Sequence, residues 1–175
     1  MKNKYNQLIE KAKNYLLSNI QNGICSSFHQ VRRGASDAWT SACIGSTLFE
    51  LGEIRSDIVS SLLKLQRDSG GWGYNHLATA DADTTLRVLQ FFNKIGFTDL
   101  SVIEPALSFI YQHQDASGGI CTFTFDEIYI MGRPERVRYA IPHLDVSALA
   151  MNVLPDSEQK EKISQYVISQ TKSTL

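Results

Sequence analysis

The chain has 175 residues, a length that suits one domain with a sizeable buried core. Its 17 basic and 18 acidic residues leave a net charge of −1, so it lacks the basic footprint of a nucleic-acid-binding protein. The sequence has no apolar stretch of about 18 residues that would span a membrane, and its charged N-terminus lacks the apolar core of a signal peptide. Three cysteines without close spacing argue against a disulfide scaffold, and we expect a cytoplasmic protein.

Three segments along the chain end in similar glycine turns. The glycines Gly23, Gly71 and Gly119 are separated by 48 residues in both steps, which is typical of an internal repeat. Each turn follows a run in which apolar residues recur every three or four positions, and this pattern predicts an amphipathic helix with one buried face. A glycine can then supply the left-handed turn that ends such a helix. We call these predicted helices the outer helices.

The segments that follow the turns differ from the outer helices because they carry almost no charge. A helix that is apolar nearly all round is a buried helix, so these segments predict inner helices. They lie at residues 38–49, 84–95 and 146–154. The repeats are expected at about 1–52, 53–97 and 98–155, followed by a final outer helix within 156–175.

Two motifs carry a resemblance to a known family. The segments 66–72 (QRDSGGW) and 114–119 (QDASGG) resemble the Gln-Trp repeat of squalene–hopene cyclases and their relatives. Residues 81–85 (DADTT) are similar to the family's Asp-x-Asp-Asp-Thr acid motif, with Thr84 in place of the third acid. The resemblance implies an all-α fold, an α/α toroid of inner and outer helices that prenyltransferase β-subunits also share. Three and a half hairpins predict a partial or miniature toroid, which a second copy or a partner protein could complete.

The resemblance also implies catalytic roles. In the cyclases the middle aspartate of the acid motif protonates an alkene or epoxide, and aromatic side chains stabilise the resulting carbocations. The middle position is Asp83 here, with Asp81 supporting it, and either His76 or His143 could serve as a base. A structural alternative remains open, because an aspartate that opens a helix is also a common N-cap.

The end of the molecule where the inner helices begin, which we call the mouth, is predicted to bind the substrate. Each glycine turn is joined to the next inner helix by a segment that we call a connection. The third connection contains a long insertion, residues 122–142, which we call the lid segment because insertions of this length are often lids. Arginines in the lid segment, and Arg32 and Arg33 in the first connection, suggest an anionic substrate group, although a solvated basic loop is an alternative. Trp39 and Trp72 could instead only pack the core. The substrate-binding candidates are Asp37, Trp39, Trp72, Tyr74, Arg133, Arg136, Arg138, Tyr139 and Asp145.

Three functional hypotheses follow from these residues. The first, which we favour, is a small class II terpene-cyclase-like enzyme that cyclises or isomerises an unsaturated small molecule by acid initiation; this molecule could carry an anionic group. The second is a noncatalytic module that binds a peptide, lipid or partner protein on the inner helical face, and the third is a subunit of a larger toroid assembly. Separately, the unclosed ring favours a homodimer. We expect no cofactor and no metal, because His143, Asp145, Cys121 and Cys25 offer zinc no tight ligand spacing.

Overall fold

The computed structural model describes residues 2–26, 29–30 and 34–172, and residues 2, 3, 29 and 30 by their backbone alone. Arg32 and Arg33 therefore lie outside the described residues. Outer and inner helices alternate, as the repeat predicts. The outer helices are α1 (Lys2–Ser18), α3 (Ser56–Leu65), α5 (Leu100–Gln112) and α8 (Glu158–Lys172), and the inner helices are α2 (Ala38–Glu50), α4 (Ala82–Ile95) and α7 (Leu144–Val153).

The three inner helices lie side by side, with α4 between α2 and α7. Outer helices α3, α5 and α8 pack against α2, α4 and α7 respectively. The burial pattern explains this order: α4 buries eight of its fourteen residues, including Phe91 and Phe92, whereas α3 buries only Ile58 and Leu62 along one face. The chain is therefore an all-α, partial α/α toroid of about three and a half helical hairpins.

Each glycine turn docks against the backbone of the next outer helix. Gly70 has φ +90°, and a Cβ atom there would lie 2.3 Å from the carbonyl oxygen of Pro105 in α5. Gly118 has φ +91°, and its Cβ would lie 2.5 Å from the carbonyl oxygen of Lys162 in α8. Only glycine combines this left-handed backbone with so close an approach. The turns therefore hold successive outer helices at a fixed distance.

The glutamine of each complete motif holds its turn and the next outer helix together. The side-chain amide of Gln66 donates to the carbonyl oxygens of Gly70 (2.8 Å) and Val102 (2.9 Å). Gln114 donates in the same way to Gly118 and Gln159, at 2.9 Å each. The motif is thus a connector between consecutive repeats.

The first turn is built differently from the other two. Residues Ile20–Gln21 (β1) and Ile24–Cys25 (β2) pair as an antiparallel hairpin. Its turn residues Asn22 and Gly23 both have positive φ, as a tight two-residue hairpin requires. A second short pair, His29–Gln30 (β3) with Gly34–Ala35 (β4), follows in the first connection.

The lid segment has local helical structure of its own. A six-residue helix, α6 (Phe125–Ile130), is followed by a 3₁₀ helix at Pro134–Ala140. Thr124 and Glu127 form a reciprocal capping box at the start of α6, which explains why this short helix begins there. No helix in the described part of the chain is long and apolar enough to cross a membrane.

Candidate active site

The inner helices begin at one end of the molecule and share a register there. Asp37, Asp81 and His143 are the residues immediately before α2, α4 and α7. Trp39, Asp83 and Asp145 follow as the second helical residue of each, and all three line one cavity of about 730 Å³. The repeat therefore brings three residues that are distant in the sequence together in one wall of the cavity.

The opposite wall of this cavity comes from the lid segment and the second connection. The lid segment contributes both charged and aromatic side chains, while the second connection contributes Tyr74. With the inner helices α2, α4 and α7, the residues that line the cavity are Trp39, Tyr74, Ala78, Thr79, Asp81, Asp83, Thr84, Thr122, Phe123, Arg133, Glu135, Arg136, Arg138, Tyr139, His143, Asp145 and Val146.

Asp83 presents its carboxyl group to the cavity. One carboxylate oxygen accepts a hydrogen bond from the indole Nε1–H of Trp39 at 3.0 Å, and the other lies 3.7 Å from Nε of Arg87. Burial raises the pKa of Asp83 above its ordinary value, although the Arg87 charge and the Trp39 bond oppose the rise. The negative charge of Asp145 adds a smaller increase in the pKa. The site therefore favours protonation of Asp83 more than water does.

Asp81 lies beneath Asp83 and caps the helix. Its two carboxylate oxygens accept hydrogen bonds from the backbone N–H of Thr84 (2.8 Å) and the hydroxyl of Thr84 (2.9 Å). Burial raises the pKa of Asp81 to about 7, against the lowering effect of these two bonds. Thr84, at the third acidic position of the family motif, therefore acts here as the hydrogen-bonding partner of Asp81.

The arginines of the lid segment differ in how far they are already paired. Arg133 lies 3.5 Å from the carboxylate of Glu135, and the Arg138 guanidinium sits 4.9 Å above the ring of Tyr139. Arg136 is half-buried in the cavity wall and has no ion-pair partner among the described residues. Arg136 is thus the lid cation that is most available to an anion in the cavity.

His143 stands at the rim between these groups. Its Nε2 lies 3.1 Å from the carbonyl oxygen of Arg138, and its ring stacks on Tyr139 with a centroid distance of 5.9 Å. His143 therefore links the start of α7 to the lid segment while still lining the cavity.

Three residues that the sequence suggested for the site lie away from the cavity. Trp72 is fully buried, and its indole N–H donates to the carbonyl oxygen of Leu62 at 2.7 Å, which is the core-packing alternative. The buried carboxylate of Asp37 caps α2 and pairs with the exposed ring of His76 at 2.9 Å. Neither Asp37 nor His76 lines the cavity: the Asp37 carboxylate is bonded to the backbone N–H of Ala38 and to the backbone and ring of His76 instead.

No cluster of three or more possible metal-binding side chains occurs within the described ranges. Of the cysteines considered above as zinc ligands, Cys121 donates its thiol to the carbonyl oxygen of Ala140, and Cys25 is buried beside α2.

Comparison with solved structures identifies the architecture. A protein from Actinoplanes has a TM-score of 0.79 and 23% identity, over 89% of this chain and 49% of that one. A variant of the type II terpene cyclase MstE from Scytonema, without ligand, has a TM-score of 0.76 and 24% identity over 99% of this chain and 51% of that one. This is the α/α toroid fold of the terpene cyclases.

A second MstE variant was solved with geranylgeranyl dihydroxybenzoate as its substrate, and it matches with a TM-score of 0.76 and 22% identity. The match covers 99% of this chain and 52% of that one, so the present chain spans about half the length of these solved chains. No family model and no curated protein matches the sequence. The three structural matches confirm the predicted α/α toroid fold.

The burial of Asp81 predicts a pH dependence of stability. Folding raises the pKa of this carboxyl from 3.8 to about 7, so the folded state holds a proton that the unfolded state has released between these pH values. The contribution of Asp81 to the free energy of unfolding is thus fully present below about pH 4 and is lost as the pH rises towards 7. Asp81→Asn removes this dependence, and its stability relative to wild type should increase between pH 4 and 7 in urea unfolding experiments.

Asp99→Asn is the matched control for this experiment. Asp99 also caps a helix, α5, but it is exposed, so its replacement isolates the contribution of burial. If the free energy of unfolding of both variants, relative to wild type, changed with pH in the same way, burial of Asp81 would not be the cause of the pH dependence.

Proposed function

We propose that this chain carries the acid-bearing half of a terpene-cyclase-like site, in which Asp83 protonates a carbon–carbon double bond. The observation that carries the proposal is the position of Asp83: its carboxyl group faces a cavity of about 730 Å³ and is buried enough to raise its pKa. A cavity of this volume suits a small-molecule substrate. A neutral carboxylic acid is what an acid-initiated reaction needs at its start.

The atoms of the proposed reaction balance without a cofactor. The Asp83 proton forms a C–H bond at one end of the alkene, and the cation left at the other end is attacked by the next double bond. Loss of a proton to a base closes the sequence, so substrate and product are isomers. His143, at the cavity rim, is the proposed base, and Arg87 stabilises the carboxylate that Asp83 leaves behind.

Aromatic side chains around the cavity support a cationic intermediate. Trp39 and Tyr74 lie on the side of the inner helices and second connection, while Phe123 and Tyr139 lie on the lid side. The faces of such rings attract cations by roughly 0.5–2 kcal/mol each, more when water is excluded. The cavity therefore combines an acid with a lining that tolerates positive charge.

Arg136 supports an anionic group on the substrate. A guanidinium that has no ion-pair partner among the described residues, half-buried beside aromatic rings, suits a carboxylate attached to an apolar molecule. MstE is named with geranylgeranyl dihydroxybenzoate as its substrate. We therefore propose prenylated aromatic acids as the substrate class and choose farnesyl and geranylgeranyl dihydroxybenzoates as probes.

Replacing Asp83 tests the catalytic proposal. Asp83→Asn keeps the shape of the side chain but removes the transferable proton, so conversion of the probe to its isomer should fall by at least about 100-fold. Conversion is measured by liquid chromatography with mass detection, and Asp145→Asn is the control that removes a cavity carboxylate at the same helical position. Undiminished conversion in the Asp83 variant would remove the acid from the proposal, and binding without conversion by wild type would support the noncatalytic module instead.

Replacing Arg136 tests the anionic substrate. Arg136→Ala removes this cation and should weaken binding of the carboxylate probe by about tenfold to a hundredfold, since a charge-assisted hydrogen bond contributes roughly 1.5–3 kcal/mol. The matched variant Arg133→Ala should weaken binding much less, because Glu135 already compensates that charge. Binding is followed by tryptophan fluorescence, and equal affinities of Arg136→Ala and wild type would contradict the assignment.

We also propose that a second copy of the chain completes the toroid. The glycine turns at Gly23, Gly70 and Gly118 cover α3, α5 and α8, but no glycine in the described part of the chain approaches α1. The surface of α1 is instead rich in exposed apolar side chains. They are Tyr5, Leu8, Ile9 and Tyr15.

An outer helix with an exposed apolar face fits a twofold assembly, in which each copy covers α1 of the other.

The cytoplasm remains the proposed location, since Cys25, Cys43 and Cys121 are all free thiols.

The assembly proposal predicts a particle of about 39 kDa, twice the 19.6 kDa chain, in sedimentation equilibrium. Ile9→Asp places a charge on the exposed face of α1 and should shift the mass to that of one chain. Leu77→Asp, at another exposed apolar residue, in the second connection, serves as the control and should leave the dimer intact. A wild-type chain that sediments as a monomer at tens of micromolar would refute the second-copy proposal.

A further inference from the structure

The two oxygens of the Asp83 carboxyl group have different neighbours. Oδ2 accepts a hydrogen bond from the indole N–H of Trp39, with 3.0 Å between Nε1 and Oδ2. Oδ1 lies 3.7 Å from Nε of Arg87, which is beyond hydrogen-bonding distance. This Nε atom is buried and has no hydrogen-bond partner in the described part of the chain. One oxygen of the acid is therefore held, and the other faces a donor that is not yet bonded.

The repeat places the donor of Trp39 beside Asp83. These two residues occupy the second position of α2 and of α4, and the two inner helices lie side by side. Asp145 has the same position in α7, on the other side of α4, but an ionised carboxylate has no hydrogen to donate. Of the three residues at this position, Trp39 is thus the one whose hydrogen can hold Asp83 at any pH.

The Trp39 bond makes the two oxygens of Asp83 inequivalent. Rotation about the bond between Cβ and the carboxyl carbon is broad and nearly twofold for aspartate, so an unbonded side chain exchanges its two oxygens easily. An indole N–H can only donate, and in a neutral carboxylic acid the carbonyl oxygen is the better acceptor. The bond therefore favours Oδ2 as the carbonyl oxygen and leaves the acidic hydrogen on Oδ1.

We propose that Trp39 is a positioning residue, whose indole N–H orients Asp83 so that the hydrogen on Oδ1 is the one transferred to the substrate; this inference rests on the proposed acid-initiated reaction. The O–H bond at Oδ1 breaks as the π electrons of the alkene form the new C–H bond. The electron pair of the O–H bond stays on Oδ1.

The donors around Asp83 then favour the state that follows the transfer. Oδ1 becomes an anion beside Arg87, whose buried Nε–H gains the acceptor that it lacks while the acid is neutral. The bond from Trp39 to Oδ2 also strengthens, because hydrogen bonds to an ionised group are stronger. Interactions that grow during the transfer lower its barrier, so both donors assist the proton to leave.

The ring of Trp39 also lines the cavity, where it has the cation-stabilising role proposed above. The decisive variant therefore removes the N–H and keeps the ring. Benzothienylalanine at position 39 does this, since a sulfur atom replaces the N–H group in a bicyclic ring of nearly the same shape. Fluorotryptophan, inserted at position 39 by the same method, keeps both the ring and the N–H and is the matched control.

Steady-state kinetics with the dihydroxybenzoate probe test the positioning role. Benzothienylalanine at position 39 should lower kcat by about tenfold to a hundredfold, the effect of one hydrogen bond to a charged group. KM should change little because the N–H does not touch the substrate, and fluorotryptophan should keep kcat close to that of wild type. Equal kcat for the two analogues would overturn the positioning role, whereas absence of conversion by wild type would refute the proposed function itself.

The pH profile of kcat separates orientation of the acid from a general loss of packing. Conversion needs protonated Asp83, so kcat falls as the pH rises through the pKa of this residue. Burial raises this pKa, whereas the Arg87 charge and the Trp39 hydrogen bond lower it, and Asp145 and His143 also face the carboxyl group. Removing only the N–H should therefore move the fall in kcat to a higher pH. An unshifted profile would contradict the proposal.

The hydrogen bond can also be followed without turnover, because the chain has two tryptophans. The indole N–H of the second, Trp72, donates to the carbonyl oxygen of Leu62, which does not titrate. In ¹⁵N-labelled wild type, the indole resonance of Trp39 should shift as Asp83 ionises, whereas that of Trp72 should stay in place. Asp83→Asn should abolish the shift. A Trp39 resonance that does not move with pH, or that moves equally in Asp83→Asn, would overturn the proposed orientation whether or not the probe is converted.

Discussion

The close docking of a glycine turn onto the next outer helix is the contact on which the rest of the architecture depends. At Gly70 and Gly118 the backbone approaches a neighbouring carbonyl group so closely that any side chain would collide with it. This contact sets the spacing of the outer helices, and a hydroxyl of each inner helix extends it inwards. Ser41, Thr85 and Ser147 each accept, at 2.9 Å, a backbone N–H from the segment just after a turn.

Because every inner helix is tied to its own turn, the three inner helices begin at equivalent points. The site uses this register. The same helical position carries Trp39, Asp83 and Asp145, and it brings a hydrogen-bond donor and a second carboxylate to the two sides of Asp83. Two residues earlier, immediately before each helix, stand the N-cap residues, and Asp81 there is buried and bonded to Thr84. Two aspartates separated by one residue thus differ in their bonding: Asp81 caps α4, whereas Asp83 accepts a hydrogen bond from Trp39.

The sequence was informative about the features that recur from one repeat to the next. Glycine spacing and the nearly charge-free inner segments predicted the alternation of helices, and the acid motif predicted Asp83, which lines the cavity, as the acid. The alternation is local in origin, since each helix and turn follows from the periodicity of its own residues. The sequence was less informative about Asp37, His76 and Trp72, because capping, pairing and packing depend on which neighbours the fold brings close.

The lid segment also contacts the end of α5, through Glu127 and His113, and this contact could not have been predicted from the sequence for the same reason. One ring nitrogen of His113 lies against the carbonyl oxygen of Phe109 in its own helix, which is a local contact. The second nitrogen finds its partner only because the lid segment folds back as α6. The helical structure inside the lid segment has a local signal, the capping box of Thr124 and Glu127, and this signal was available before the structure.

The central claim is that a proton passes from Asp83 to the substrate. Conversion of the prenylated dihydroxybenzoate probe in deuterium oxide tests this transfer most directly, because the exchangeable proton of Asp83 is then a deuteron. The account predicts a product that is one mass unit heavier than in ordinary water, with the deuterium on the carbon at which cyclisation starts. A product without carbon-bound deuterium would contradict acid initiation.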